Sequence, residues 1–225
     1  MIATWTDRST QPSVRRRSEM NAGPRTRLIE SAIELVREQG VHGAGLAALL
    51  ERGNASRNSL YQHFPSGKGE LMVAATEVAG ARMSALLDRI TAAGAPRQWP
   101  AALTGWWRKN LERSAFGAGC PIVGAALAES EPEVQAAAAA AFTEWTGRIA
   151  KALADQGIPA AQARSYASFA ISALEGAIVQ ARALKSTEPL DAVETQLTAL
   201  LAQVRPATPV NPVLTDADEA HRLGR

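Results

Sequence analysis

The sequence predicts an all-α chain built as a small three-helix N-terminal unit with helix-turn-helix spacing, followed by a larger helical body. Apolar residues recur three and four positions apart from about residue 24 to 204, no useful stretch alternates apolar with polar, and Gly and Pro fall at helix-length intervals. With 225 residues, 46% of them hydrophobic, the chain can bury one good core, or one core with a small module attached. The boundaries expected are an arm at 1–23, the helix-turn-helix unit at 24–68, the helical body at 69–205 and a tail at 206–225.

The arm is polar and basic without apolar periodicity, which reads as disorder; its Arg15, Arg16 and Arg17 suit either a minor-groove contact or a solvated tail. The first helix begins near Pro24, carries Leu28, Ile29, Ala32, Ile33 and Val36 on one face, and ends at Gly40. Its other arc, Arg27, Glu30, Glu34, Arg37 and Glu38, has the spacing of a solvated helix face rather than of paired catalytic carboxylates. Beyond Gly40, Gly43 and Gly45, a short second helix carries Leu46, Leu49 and Leu50 and stops at Gly53-Asn54. A third short helix has Ser56 as its N-cap and Leu60 and Phe64 turned inward, and Pro65 closes it. Longer alanine-rich helices follow at 68–93 and 99–114, a short one starts near Pro121, and others run from Pro132 to Gly157, over 159–184, and over 189–204 with Thr187 as cap. Prolines 206, 209 and 212 mark the tail as frayed.

The third helix is where chemistry concentrates. With Leu60 and Phe64 facing inward, Arg57, Asn58, Ser59, Tyr61, Gln62 and His63 are left on exposed or half-exposed arcs. Arg spans two acceptors on guanine, Gln or Asn does so on adenine, and Ser and Tyr hydroxyls suit phosphate oxygens. A merely solvated polar helix fits the same residues, so taken alone they leave both readings open. Charge distribution adds a little weight to the first. The net charge is only +2, but residues 1–70 hold 10 Lys+Arg against 7 Asp+Glu while the remainder holds 14 against 15.

The run from Thr26 through Leu71 resembles the DNA-binding domain of the TetR family, whose strongest mark is matched by Leu60-Tyr61-Gln62-His63-Phe64-Pro65-Ser66-Gly67-Lys68. The segments HGAGL at 42–46, Ser66-Gly67-Lys68, GCPIVGAAL at 119–127 and LEGAIVQARAL at 174–184 are similar to its LmrA/YxaF-like subgroup. The resemblance implies base contacts from Arg57, Asn58, Ser59 and Gln62, and phosphate contacts from Tyr61, His63, Lys68 and Thr26. Ser56 belongs to the same surface. Gly45 stands where many relatives carry a threonine that caps the second helix and touches phosphate, and Asn58 replaces a common glycine or proline. The resemblance further implies a homodimer on a palindromic double-stranded operator, with the last two long helices pairing between subunits. In that pairing Ala173, Gly176, Ala177 and Ala181 permit close backbone approach. The function implied is a ligand-responsive repressor of transcription, released by an effector.

The larger domain is where an effector is expected, a small apolar or aromatic molecule. Trp106, Trp107, Phe116, Cys120, Ile122, Phe142, Trp145, Phe169 and Ile178 are the candidate lining, with Asn110, Ser172 and Glu175 as polar fixings. Ordinary core packing competes with this for each aromatic. Glu175 is the informative member, because a buried carboxylate without a partner is costly. It must be exposed, paired or a ligand group.

Catalysis finds little support. The chain carries no Walker loop, Gly-x-Ser-x-Gly elbow, His-Glu-x-x-His or Cys-x-x-Cys. Cys120, the one cysteine, cannot form an intramolecular disulfide, and with no basic residue nearer in sequence than Arg113 it reads as a buried small hydrophobe. Three scattered histidines give no metal spacing, so neither metal nor cofactor is expected. No apolar run approaches the roughly 20 residues of a membrane span and the N-terminal stretch lacks an apolar core followed by a cleavage site, so a cytoplasmic protein without membrane contact is expected. An enzyme using Cys120 or Glu175, and a scaffold that has lost DNA binding, are the rival classes.

Overall fold

The computed structural model describes residues 23–203. The arm with Arg15, Arg16 and Arg17 and the tail expected at 206–225 lie outside the described residues, within which every regular element is helical. Helices α1 (Pro24–Gly43), α2 (Leu46–Arg52) and α3 (Arg57–His63) form the N-terminal unit. They lead into α4 (Lys68–Ala92), a single 3-10 turn at Pro96–Gln98, α5 (Trp99–Arg113), α6 (Pro121–Ala126), α7 (Pro132–Asp155), α8 (Ala160–Leu184) and α9 (Glu188–Gln203).

The first helix supplies the N-terminal core. Leu28, Ile29, Ala32, Ile33, Leu35 and Val36 are buried, against Leu49 of α2 and Leu60 and Phe64 of the third helix. Burying side chains of this size stabilises by about 1.5–3 kcal/mol each before entropy is charged. The helix does not end at Gly40 as expected. Gly40 breaks it, at φ 74° and ψ 176°, and a further turn continues to Gly43. Carbonyls before such a break lose their helical donors. Here the Arg37 carbonyl accepts from the Gly119 N–H at 2.9 Å and the Glu38 carbonyl from Arg182 Nη2 at 3.1 Å.

The polar arc of α1 is likewise corrected, from a solvated face to a set of ties. Glu30 pairs with Arg82 of α4, Glu38 pairs with Arg52 of α2 at 2.9 Å, and Arg37 Nε donates to the Gly119 carbonyl at 3.1 Å while its guanidinium meets Glu34 at 3.2 Å. Arg27 Nε donates to the Gly53 carbonyl at 3.1 Å. Sequence spacing shows which charges share a face; it does not show what packs over that face.

The larger body is layered around α4 and α7, which pack on each other, with α8 against α7 and α9 against α8 and α5. Trp145 donates its indole N–H to the Gly80 carbonyl at 3.1 Å, bringing α7 onto α4. The short α6 sits between the two parts of the molecule. A Cβ on Gly124 would stand 3.1 Å from Val36 Cγ1 and 3.2 Å from the Val36 carbonyl, so glycine is what lets α6 close on α1. At the start of α9 the hydroxyl that caps is Ser186, which accepts from the Glu188 N–H at 3.2 Å; Thr187 contributes its carbonyl instead.

Candidate nucleic-acid interface and effector cavity

Helix α3 is held by its apolar side and presents its polar side outward. Leu60 and Phe64 are buried, whereas Arg57, Asn58, Tyr61 and Gln62 are exposed and Ser59 and His63 half-buried. Ser56 caps the helix: its hydroxyl accepts from the Ser59 N–H at 3.1 Å. The turn from α2 is set by Gly53, where a Cβ would lie 3.0 Å from the Leu49 carbonyl and 3.4 Å from that of Arg27, and by Asn54 in the left-handed region at φ 43°. Ser31 ties the same turn to α1 by donating to the Leu49 carbonyl at 2.9 Å.

The remaining residues expected at this surface fall around α3. Thr26 is exposed in the first turn of α1, beside Arg25, whose guanidinium lies 5.4 Å from the Phe64 ring centroid. Gly45 is the exposed N-cap of α2, with extended backbone and no side chain to cap it. Lys68 opens α4 and donates to the Val41 carbonyl at 3.2 Å. One of its three N–H donors is thereby committed to holding α4 against the end of α1, which sequence spacing did not reveal.

A small cavity of ≈ 40 Å³ lies among α4, α5, α7, α8 and α9. Of the twelve expected lining residues, Trp107, Trp145 and Glu175 are there, joined by Met83, Leu103, Thr104 and Leu174. The other nine are placed elsewhere, Ile178 fully buried on α8. Phe169 and Ser172 are exposed on the far side of α8, and Trp106 and Asn110 sit on the outward side of α5, where Asn110 donates to the Trp106 carbonyl at 2.8 Å. Ile122 is fully buried on α6, Phe142 packs edge-on to Trp145 with ring centroids 5.4 Å apart, and Phe116 lies in the loop before α6. Cys120 caps α6 beneath that loop; burial and the neighbouring Glu175 push its thiol well up, so it stays protonated. Residue type identified large side chains, but the turn of each helix decided which of them face inward.

The polar wall of the cavity is unusual. Although Glu175 as a residue keeps partial exposure, its Oε2 is shut off from solvent and has no hydrogen-bond partner, and the same holds for Nε1 of Trp107. Burial pushes the Glu175 carboxyl up to about 7, with only a hydrogen bond from the Cys120 thiol working the other way. Thr104, by contrast, is satisfied: its hydroxyl contacts Glu194 Oε2 at 2.6 Å, and Arg108 reaches Glu194 at 3.3 Å and Asp191 at 2.5 Å. Among the described residues no group of three His, Cys, Asp or Glu side chains is placed to hold a metal ion, and no helix is long and apolar enough to cross a membrane.

Residues 28–75 match the model for bacterial regulatory proteins of the tetR family, and residues 96–196 match that for the C-terminal domain of the LmrA/YxaF-like transcriptional regulators. The chain belongs to the TetR family. It is 35% identical over 186 residues to the uncharacterized HTH-type transcriptional regulator Rv0196 of Mycobacterium tuberculosis, covering 80% of this chain and 94% of that one. It is 26% identical over 171 residues to the HTH-type transcriptional regulator LmrA of Bacillus subtilis, covering 74% and 90%. Its fold is that of a TetR transcriptional regulator from Chloroflexus aurantiacus, with TM-score 0.68, 24% identity and coverage of 85% and 100%. A TetR transcriptional regulator from Legionella pneumophila superposes with TM-score 0.70 at 18% identity, covering 82% and 98%. This TetR-family chain is therefore a transcriptional regulator and not an enzyme.

Proposed function

We propose that this TetR-family regulator is a repressor that grips a two-fold symmetric operator as a homodimer and releases it when a small molecule enters the cavity between α4, α5 and α8. The observation that carries the DNA half is the exposed polar side of α3, anchored by Leu60 and Phe64. Arg57, Asn58, Ser59 and Gln62 reach base edges, while Thr26, Tyr61, His63 and Lys68 take phosphates. Ser56 and Gly45, as caps, set the angle of α3 and α2.

Dimerisation is supported by an uncovered apolar stripe on α8. Phe169 and Val179 are 52% and 53% exposed, and Leu184, at the C-terminal end of the helix, is 64% exposed. Gly176 lies in the same stripe, with nothing within 4 Å of where its Cβ would be. The stripe differs from the one expected, since Ala177 and Ala181 point into their own protomer's core. Two copies joined here hold two α3 helices on one face of a duplex, about one helical turn apart.

The test is a gel shift with the protein's own upstream region at two salt concentrations. Phosphate contacts predict a steep loss of affinity with salt. Tyr61→Ala and Lys68→Ala are expected to weaken specific and random DNA alike, whereas Arg57→Ala and Gln62→Ala each relax the choice of particular bases. Equal losses on both DNAs for all four variants contradict these roles, and indifference to every duplex overturns the reading.

A further inference from the structure

The cavity carries two polar side chains with atoms that the fold buries and leaves without partners, the Oε2 of Glu175 and the Nε1 of Trp107, inside walls that are otherwise aliphatic and aromatic apart from Thr104, whose hydroxyl is satisfied. A native protein satisfies such groups almost without exception, so an orphaned pair in one cavity marks a place where something else supplies the partners. An acidic acceptor and an indole donor ask for different things. The carboxylate asks for a donor, best a positively charged one, and the indole asks for an acceptor.

The geometry points to an effector that is a lipophilic amine carrying an oxygen acceptor, its ammonium group on Glu175 and its hydrocarbon body against Trp107, Trp145 and Leu103. This deepens the ligand half of the reading above and rests on it. Among the described residues no cation competes for the site. Arg108 is engaged by Asp191 and Glu194, Arg148 by Asp88 and Glu144, and Arg182 by the carbonyls of Glu38 and Gly117. The titratable group acting on Glu175 is the Cys120 thiol, which stays neutral.

Room has to be made. The cavity of ≈ 40 Å³ adjoins a second of the same size, which shares Leu87, Leu103, Ile149 and Leu197 as walls and extends to Tyr166. A ligand joining the two displaces half-buried Met83, Leu103 and Ile171, side chains free to swing toward the surface. Because Glu175 and Arg182 stand seven residues apart on one face of α8, and Cys120 adjoins Gly119, a charge arriving at Glu175 acts on the loop that ties α8 to α1.

The experiment compares two probes of one shape and different charge, 1-naphthylmethylamine and 1-naphthylmethanol, by calorimetric titration of the full-length protein. The amine is expected to bind at least tenfold more tightly than the alcohol. Glu175→Gln should cost the amine at least tenfold while moving the alcohol by less than twofold. Amine affinity should also rise between pH 6 and 8 in the wild type, as Glu175 ionises, and stay flat in Glu175→Gln. Equal affinities, equal effects of the substitution on both probes, or failure of both probes to bind would each overturn the assignment. A gel shift on the same preparation separates this from the parent reading: operator binding without amine preference sinks the cation site alone, and amine preference without operator binding sinks the repressor.

Discussion

At the scale of single residues, two side chains matter beyond their size. Ser56 closes the first turn of α3 with one hydrogen bond to Ser59, and a helix of seven residues has little else to hold its start. Ser56→Ala is expected to cost about 1 kcal/mol of stability and to lower operator affinity several-fold. Thermal unfolding and gel shift check this, with Ser56→Thr restoring both. Glu175 has the opposite character, since its burial opposes folding. Its pKa rises from about 4.5 in the unfolded chain to about 7 in the folded one, so the unfolded chain gives up this proton more readily. The contribution to stability is whole below pH 4.5, declines as pH climbs, and is gone above pH 7. Glu175→Gln is expected to flatten this part of the pH profile and to gain about 3 kcal/mol at pH 8, measured by urea unfolding without ligand.

Between elements, the decisive contacts are main-chain carbonyls met by arginine. The break at Gly40 frees the carbonyls of Arg37 and Glu38, and Arg182 of α8 spans from the latter to the Gly117 carbonyl at 2.8 Å. One guanidinium thus bridges the N-terminal helix, the loop before α6 and α8. Removing hydrogen bonds of a charged group costs roughly 1.5–3 kcal/mol each when the carbonyls are left dry, and less where water replaces them. Arg182→Ala is accordingly expected to lower stability by about 2 kcal/mol and to raise amide exchange across residues 117–120. Exchange confined to the termini would show that the bridge holds nothing. Arg182→Lys should rescue only in part: both bonds leave the one Nη2 nitrogen, which an ammonium with three donors can imitate, but the lysine stem stops short of where Nη2 stands.

For the whole molecule, the proposed repression requires that two copies hold their α3 helices at a fixed spacing. The outer face of α8 leaves Phe169 and Val179 more than half exposed, an apolar stripe that water disfavours and a second copy can cover. A charge placed there is buried in a dimer and harmless in a monomer. Phe169→Glu and Val179→Asp are expected to convert the dimer to monomer in light scattering, with operator binding lost at least tenfold while helical content is kept. A variant that stays dimeric with full affinity would move the interface elsewhere.

Helix positions were legible in the sequence because periodicity, capping residues and proline are local signals. Ser56 as cap, Leu60 and Phe64 as anchors and Pro132 at the start of α7 follow from neighbours a few residues away. The polar side of α3 was legible for the same reason: a seven-residue helix with two apolar positions has one way to lie down. Tertiary structure alone decided what lies across a helix face. It turned the charged arc of α1 into ties to Arg52, Arg82 and Gly119, and sent Phe169 outward rather than into a cavity. It also joined Glu175 to Trp107, 68 positions apart in the chain. Spacing along one helix determines which residues share a side, but which side meets protein, solvent or an open cavity depends on partners brought together only when the whole chain packs.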